Sequence, residues 1–477
     1  MKNMKKKLRN IFGVFILIFA LGYIYVNHRT SYRVDPDRPF IHAEDGRIMI
    51  LHGFNVISSG KAHPLRIGKL QKEDFMRLTE RWGFNAVRLL VFWDGIEPEK
   101  GKYDYEYLAR VKERLDWCEE AGLKVILDMH QDLYAVRFGG DMAPEWAIID
   151  DGEPFDMQTP WELNYFQPAV KAALTNFWNP EKGHPELQEH FINAMGEAVK
   201  YLGNHPTVVG IDLFNEPTLA TWDGFFNLEE KYLTPLYQNA INKVRTINND
   251  MWIFFEPTAF GPNQGFYSDL GKLTDPRKGG QRLVYFPHIY TLDLDVNGEY
   301  RGDPFYIKLW AHSRQVEYKK YNTPMLIGEF GLGGNDEKAL AFVEEVMQMT
   351  DKITGGWFYW DYDGQSWGIW DYKNNREHPK ARVLDRPYPR MIAGAKPVFS
   401  YDPEKKVFSL EMEWNQNIQP KLTNNTTEIY IPTHTWPNGW KITVEEGKAD
   451  WHYKDSTRCV YVTPREEGKL KITIKSK

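Results

Sequence analysis

The stretch Val208-Val209-Gly210-Ile211-Asp212-Leu213-Phe214-Asn215-Glu216-Pro217 carries the reading of the fold. Its apolar, β-branched start fits a strand buried on both faces, as in a parallel sheet. It turns polar just before Pro217, which has no N–H to continue a ladder. Glu216 therefore falls at the carboxyl end of a strand, with the amide of Asn215 beside it. A carboxylate on a stiff element next to a fixed donor suits proton transfer at a sugar, and an ordinary strand-end ion pair would leave the same signature.

The same pattern recurs on either side. Upstream lie Ile48 to Asn55, leading into a loop with Lys61, then Ala86 to Trp93, and Lys124 to Met129 with His130-Gln131-Asp132 at its end. Downstream lie Met251 to Glu256, Leu283 to Tyr290, Met325 to Glu329 and Gly356 to Asp361. Helical spacing separates most of these runs. The clearest case has Asp104 as cap, Leu108, Val111, Leu115 and Cys118 on one face, and Gly122 as the stop. Ala339, Val343, Val346 and Met347 mark another such face.

Eight strands alternating with helices over about 350 residues indicate a (β/α)8 TIM barrel, whose strand carboxyl ends carry the active site. Arg88, His130, Asp132, Glu216, Glu256, His288, Tyr290, Glu329 and Trp360 all fall at or just past those ends. Scattered surface polar residues would not show that bias. The excursion from Leu133 to Pro185, with Trp146, Trp161 and Trp178, is too long for a plain connection and is expected to form a lid or binding wall.

Near Pro387-Tyr388-Pro389 the apolar period changes to two, as in Phe408, Leu410, Met412 and Trp414 and again in Leu470, Ile472 and Ile474. This predicts a small C-terminal antiparallel β-sandwich. The expected organisation is an N-terminal segment 1–30, a barrel 31–395 and a sandwich 396–477.

Composition narrows the partners. A net charge of −6 over 477 residues provides no basic face for a polyanion, so nucleic acid is excluded as a partner. The two cysteines, Cys118 and Cys459, fall in different expected domains and read as buried thiols, not a disulfide framework. No obligate protein partner is indicated. At the amino terminus Lys2, Lys5, Lys6, Lys7 and Arg9 precede an uncharged, mostly apolar run from Ile11 to Val26. This is an export signal or, by preference, a signal anchor, and it places the remainder outside the cytoplasm, membrane-anchored by residues 11–26 or secreted after cleavage.

A retaining glycosidase needs two carboxyl groups about 5 to 5.5 Å apart, one protonated and one ionised. Glu216 offers one, and Glu329, in Ile327-Gly328-Glu329-Phe330-Gly331, faces it across an eight-stranded barrel. Glu256, in Phe255-Glu256-Pro257, is a third strand-end carboxylate that position alone does not exclude. The chain has no His-Glu-x-x-His, Gly-x-Ser-x-Gly, phosphate-cradling glycine loop or dinucleotide fingerprint. No metal and no organic cofactor is expected.

Several motifs together resemble the endoglycoceramidases of glycoside hydrolase family 5. They are Asn85-Ala86-Val87-Arg88, Glu97-Pro98-Glu99-Lys100-Gly101, Leu127-Asp128-Met129-His130-Gln131-Asp132, Ala143-Pro144-Glu145-Trp146-Ala147, Asn215-Glu216-Pro217, Pro287-His288-Ile289-Tyr290, Gly328-Glu329-Phe330-Gly331 and Arg386-Pro387-Tyr388-Pro389-Arg390. Asn-Glu-Pro alone marks only the broad superfamily of barrel glycosidases. The Asp-Met-His-Gln-Asp and Arg-Pro-Tyr-Pro-Arg segments are far more specific.

The resemblance implies Glu216 as acid/base and Glu329 as nucleophile, with Arg88, Tyr290 and His288 orienting the nucleophile. It implies Asn215, Lys61, His130, Asp132, Trp161 and Trp360 as substrate-binding groups, and a non-catalytic place for Glu256. The expected activity is retaining hydrolysis of the β-glycosidic bond between the oligosaccharide and ceramide of glycosphingolipids at a membrane surface. The alternatives are a family 5 β-glucosidase or endoglucanase on soluble glycans and, in another class, a non-catalytic glycan- or glycolipid-binding protein.

Overall fold

The computed structural model describes residues 25, 26, 28–218, 229–364, 366–415 and 422–477. Apart from Tyr25 and Val26, the apolar run Ile11 to Val26 lies outside the described residues. Among the described residues, no helix is long and apolar enough to cross a membrane.

Eight parallel strands form the barrel: β1 Leu51–Val56, β2 Ala86–Val91, β3 Lys124–Met129, β4 Val208–Asp212, β5 Trp252–Phe255, β6 Leu283–Tyr285, β7 Ile327–Phe330 and β8 Gly356–Tyr359. Neighbours in sequence are neighbours in the sheet, and β8 returns to pair with β1. Between β6 and β7 closure rests on two parallel bridges, Tyr285 to Met325 and Ile289 to Phe330.

Two strands differ from the expected runs. The run Leu283 to Tyr290 stops as a strand at Tyr285, because Pro287 has no N–H for the ladder. The run Ile48 to Asn55 is two strands. Ile48–Met49 pairs antiparallel with Met391 and Ile392 in the C-terminal unit, and only from Leu51 does the chain enter the barrel. A continuous apolar run carries no sign of such a change of sheet.

Alternation along each strand separates the barrel interior into two levels. Ala86, Ile126 and Phe254 belong to an apolar floor with Leu51, Val284, Leu326 and Phe358. Two residues further on along the chain from Ala86, Ile126 and Phe254 come Arg88, Asp128 and Glu256, and Asp212 on β4 pairs with Asp128. The polar level is thus built on a packed apolar plug at the carboxyl face.

Helices pack outside. Tyr105–Ala121 starts at Asp104, whose side chain accepts from the Tyr107 N–H at 2.8 Å, and ends at Gly122 with φ 73°. Its buried face holds Leu108, Val111, Leu115 and Cys118. Part of the long excursion after β3 is core: it contains the helix Pro168–Trp178, Trp178 is fully buried, and the Trp146 indole donates to the Glu97 carbonyl at 3.2 Å. Trp161, by contrast, is exposed on a short 3-10 helix, Trp161–Phe166.

The C-terminal unit has two antiparallel sheets. One joins Ile48–Met49, Tyr388–Ile392, Thr427–Tyr430, Cys459–Pro464 and Ala449–Lys454; the other joins Ala395–Asp402, Val407–Trp414, Gly468–Ser476 and Trp440–Glu446. Ile392, Phe408, Leu410, Ile429, Val462, Ile472 and Ile474 fill the space between them. The first sheet therefore takes in Tyr388–Ile392, ahead of the expected boundary at residue 395. It sits against the barrel closely: Tyr388 Oη and Arg390 Nη2 both donate to the Gly83 carbonyl, at 3.1 and 2.6 Å. Gly83 has φ 65°, and a Cβ there would meet the Tyr430 ring at 2.1 Å. Only glycine fits this helix end against the sandwich. Both cysteines are buried and free.

Candidate active site

Arg88 on β2 organises the polar level. It is fully buried and contacts four carboxylates: Glu329 at 2.7 Å, Asp212 at 2.7 Å, Glu256 at 2.8 Å and Asp128 at 2.9 Å. Its Nη1 also donates to Asn55 Oδ1 at 3.0 Å and its Nη2 to Asn215 Oδ1 at 2.9 Å. The surrounding negative charge outweighs burial and holds the guanidinium pKa well above its usual value.

Glu329 at the end of β7 is locked on both oxygens. Oε1 takes the Arg88 guanidinium, and Oε2 accepts the Tyr290 hydroxyl at 3.0 Å. Burial raises its pKa, while His288 and Arg88 act against that rise.

Glu216 is held differently. Its backbone sits in the left-handed region, φ 43°, where a non-glycine residue is strained. The Glu216 N–H donates to Glu256 Oε2 at 2.9 Å, and Gln131 Nε2 donates to the Glu216 carbonyl at 2.8 Å. Its side-chain Oε1 accepts from His288 Nδ1 at 2.9 Å and from Asn263 Nδ2 at 2.8 Å. Oε1 thus has two donors aimed at it, which leaves Oε2 as the oxygen better placed to bear a proton.

His288 lies between the acids, with Nε2 3.1 Å from Glu256 Oε1 and Nδ1 3.6 Å from Glu329 Oε2. Burial pulls its pKa down, but Glu256 and Glu329 outweigh burial and lift it well above the ordinary histidine value.

Oxygens of Glu216 and Glu329 lie within 4.8 Å of each other. That spacing goes with the short carboxyl separation of retaining glycosidases, about 5 to 5.5 Å, and not with the roughly 6.5 to 9.5 Å of inverting ones. Glu256, left open by the sequence, is held through both oxygens. Its Oε1 faces Arg88 and His288 and its Oε2 accepts the Glu216 amide, so both oxygens are engaged below the reacting pair. Burial pushes its pKa well above the ordinary range.

The sugar-binding expectations fall in one cluster beside the pair. Lys61 forms a very short ion pair with Asp132, and its ammonium sits 4.3 Å from the centre of the Trp360 ring. His130 stacks on Trp360, ring centres 5.6 Å apart and planes 7° from parallel, and Asp128 Oδ2 accepts from its Nδ1 at 2.7 Å. Burial and Lys61 lower the His130 pKa, but Asp128 and Asp132 prevail and raise it to about 9. Asn215 donates to the Gln131 carbonyl at 2.9 Å and is fixed by Arg88. Trp161 stands apart from this cluster, 48% exposed, with its ring 6.2 Å from that of Tyr165.

Sequence reasoning passed over Asn55, Asp128, Asp212 and Asn263. The two aspartates did leave a signal, a lone charge inside an apolar strand, which requires a buried counter-charge. Asn263 left none, because it sits in the short turn Pro262–Gln264 after β5 with no periodicity to mark it.

A closed (β/α)8 barrel with paired glutamates past the end of β4 and on β7, one engaged on both oxygens and the other on one, has the make-up of a retaining barrel glycosidase. The chain belongs to glycosyl hydrolase family 5: the family described as Cellulase (glycosyl hydrolase family 5) matches residues 49–366, and the family 5 C-terminal domain matches residues 386–475. Within that family it is endoglycoceramidase-like. It is 26% identical to Endoglycoceramidase I of Rhodococcus hoagii over 447 residues, 90% of this chain and 85% of that protein. It superimposes on Endo-glycoceramidase II from Rhodococcus sp. in its ganglioside GM3 complex with TM-score 0.84 and 33% identity, covering 92% of this chain and all of the other. A lactosyl-enzyme intermediate of that same relative superimposes with TM-score 0.82 at 33% identity and the same coverage.

Proposed function

We propose that the enzyme hydrolyses the bond between the oligosaccharide and ceramide of glycosphingolipids with retention of configuration. Glu329 attacks the anomeric carbon while Glu216 Oε2 gives its proton to the departing ceramide oxygen, so the C–O bond breaks as the glycosyl ester forms. Glu216, now ionised, removes a proton from a water that attacks the same carbon. The ester C–O bond breaks, Glu329 returns as carboxylate, and the free sugar leaves. Arg88 and Tyr290 fix Glu329 for both steps and stabilise its charge when it is released.

The observation that carries the lipid side of this reading is an exposed aromatic wall on the acid/base side. Phe260, three residues before Asn263, stacks against Phe166 with ring centres 6.1 Å apart and meets Tyr165 edge-on at 5.5 Å. Phe166 and Phe260 are 52% and 45% exposed, and Trp161, Leu163 and Met157 are exposed on the same excursion. Apolar side chains gathered beside the leaving-group position suit a lipid aglycone better than a hydrated one.

The same reading sets the enzyme outside the cytoplasm at a membrane surface, supported by this wall and by the lysine-led apolar run Ile11 to Val26. Release of free oligosaccharide from a ganglioside, with cellobiose-type substrates left intact, is the expected result. The reverse preference would favour the soluble-glycan reading, and binding without turnover of either would favour a non-catalytic one.

A further inference from the structure

We propose that Glu229 is a positioning residue for the proton-transfer step: it ties together both ends of the segment 258–269 after β5, and through that segment holds Asn263 against Glu216. This rests on the reading of Glu216 as proton donor given above.

The segment starts two residues past Glu256 and reaches the reacting groups through Asn263. Asn263 Nδ2 donates to Glu216 Oε1 at 2.8 Å, and the Asn263 carbonyl accepts the Tyr290 N–H at 3.2 Å. Phe260 of the aromatic wall lies on the same segment. Its only regular element among the described residues is the 3-10 turn Pro262–Gln264. No strand ladder or helix fixes such a segment, so its place depends on side chains that meet its backbone.

Glu229 is the chief of these. It opens the π-helical turn Glu229–Leu233 ahead of the helix Thr234–Ile247 and is 4% exposed. Each of its oxygens serves one end of the segment. Oε1 accepts the Thr258 N–H at 2.7 Å and the Thr258 hydroxyl at 3.1 Å. Oε2 accepts the Asp269 N–H at 2.6 Å and the Ser268 hydroxyl at 2.9 Å. A buried carboxylate is costly to a fold unless its lone pairs are satisfied, and here all four bonds go to one segment.

A second buried pair supports the same segment from the helix Phe305–Tyr321. Arg314 Nη1 donates to the Pro262 carbonyl at 2.9 Å, Glu317 Oε1 accepts the Ser268 N–H at 2.8 Å, and the two side chains pair with each other at 2.8 Å. Pro262 immediately precedes Asn263, so the residue facing Glu216 is fixed from Arg314 beside it and from Glu229 at both ends. Hydrogen bonds weaken steeply with distance and angle, so loosening either end is felt at Glu216 Oε1.

A clamp that only stabilised the fold would slow every substrate alike when cut. One that positions Asn263 slows the step that needs a proton. Two full-length variants test this. Glu229→Gln keeps the shape but only one acceptor oxygen, so it can hold one end and not both. Ser268→Ala is milder and removes a single donor at the far end. Formation of the glycosyl-enzyme is followed by stopped flow with a glycosphingolipid and with the dinitrophenyl glycoside of the same sugar.

Glu229→Gln is expected to slow the ceramide substrate about fivefold and Ser268→Ala about threefold, with the dinitrophenyl substrate within about 1.5-fold of wild type. In an Asn263→Ala background, Glu229→Gln is expected to add less than about twofold, because the two act through one contact. No loss with the ceramide substrate, equal losses with both substrates, or a fully additive loss in the double variant overturns the proposal. Glu216→Gln measured alongside separates the two readings. If it slows both substrates equally, the proton-donor reading falls and the clamp with it; if it keeps the leaving-group dependence while Glu229→Gln lacks it, only the clamp falls.

Discussion

Glu329 and Glu216 have oxygens within 4.8 Å of each other, yet the protein treats them as opposites. Glu329 has a side chain 5% exposed and both oxygens engaged by Arg88 and Tyr290, while Glu216 has a side chain 17% exposed, a strained backbone and donors on one oxygen only. The difference suits the tasks proposed for them. A nucleophile must stay ionised and must not turn, so it is surrounded by fixed donors. A proton carrier must meet the leaving group and then a water, so one of its oxygens stays free.

Substitutions that remove one habit and keep the other probe this contrast. The largest effect is expected from Glu329→Gln, a loss of at least about 10⁴-fold in turnover whatever the leaving group, because no other carboxylate can take its place. Glu216→Gln is expected to cost about 10² to 10⁴-fold with a ceramide leaving group. With a glycosyl fluoride or dinitrophenyl glycoside, whose leaving groups need no proton, formation of the glycosyl-enzyme should stay near the wild-type rate in a stopped-flow burst. Equal losses with both substrates would break the assignment of Glu216 as acid. Asn263→Ala should show the same dependence on leaving group in miniature, about tenfold with ceramide and little with the activated substrate.

The smallest effect is a shift in pH profile. Burial lifts the Glu329 carboxyl above the ordinary range, and the reaction needs it ionised, so kcat/KM falls as pH drops through that raised value. Tyr290→Phe removes a donor that favours the ionised form. The acid limb should therefore move to higher pH, by up to about one unit. A move to lower pH would contradict the role given to Tyr290.

Most of the barrel was legible because each strand announces itself as an apolar run ending in polar residues, and Glu216, Glu329, His288 and Tyr290 mark those ends. Legibility failed where one pattern served two purposes. Ile48 to Asn55 is uniformly apolar enough to supply two sheets, and nothing in it shows that Met49 pairs with Met391 while Leu51 pairs with Gly356. Leu283 to Tyr290 hid a strand end that only Pro287 betrays. The three tryptophans of the long excursion look alike in sequence, yet Trp178 is core and Trp161 is surface, a difference set by packing against elements distant in the chain. Glu256 could be told from the catalytic pair only by direction, since its oxygens point to Arg88, His288 and the Glu216 amide.

The central claim, that Glu329 carries the sugar while Glu216 handles the proton, is tested most directly by mapping the covalent intermediate. The enzyme would be trapped with a 2-deoxy-2-fluoro lactosyl donor, digested, and sequenced by mass spectrometry. The account predicts one added sugar per chain, on the peptide through Gly328-Glu329-Phe330 and on Glu329 itself. A sugar on Glu256 or Glu216, or no adduct in an enzyme that still turns the donor over, would contradict it.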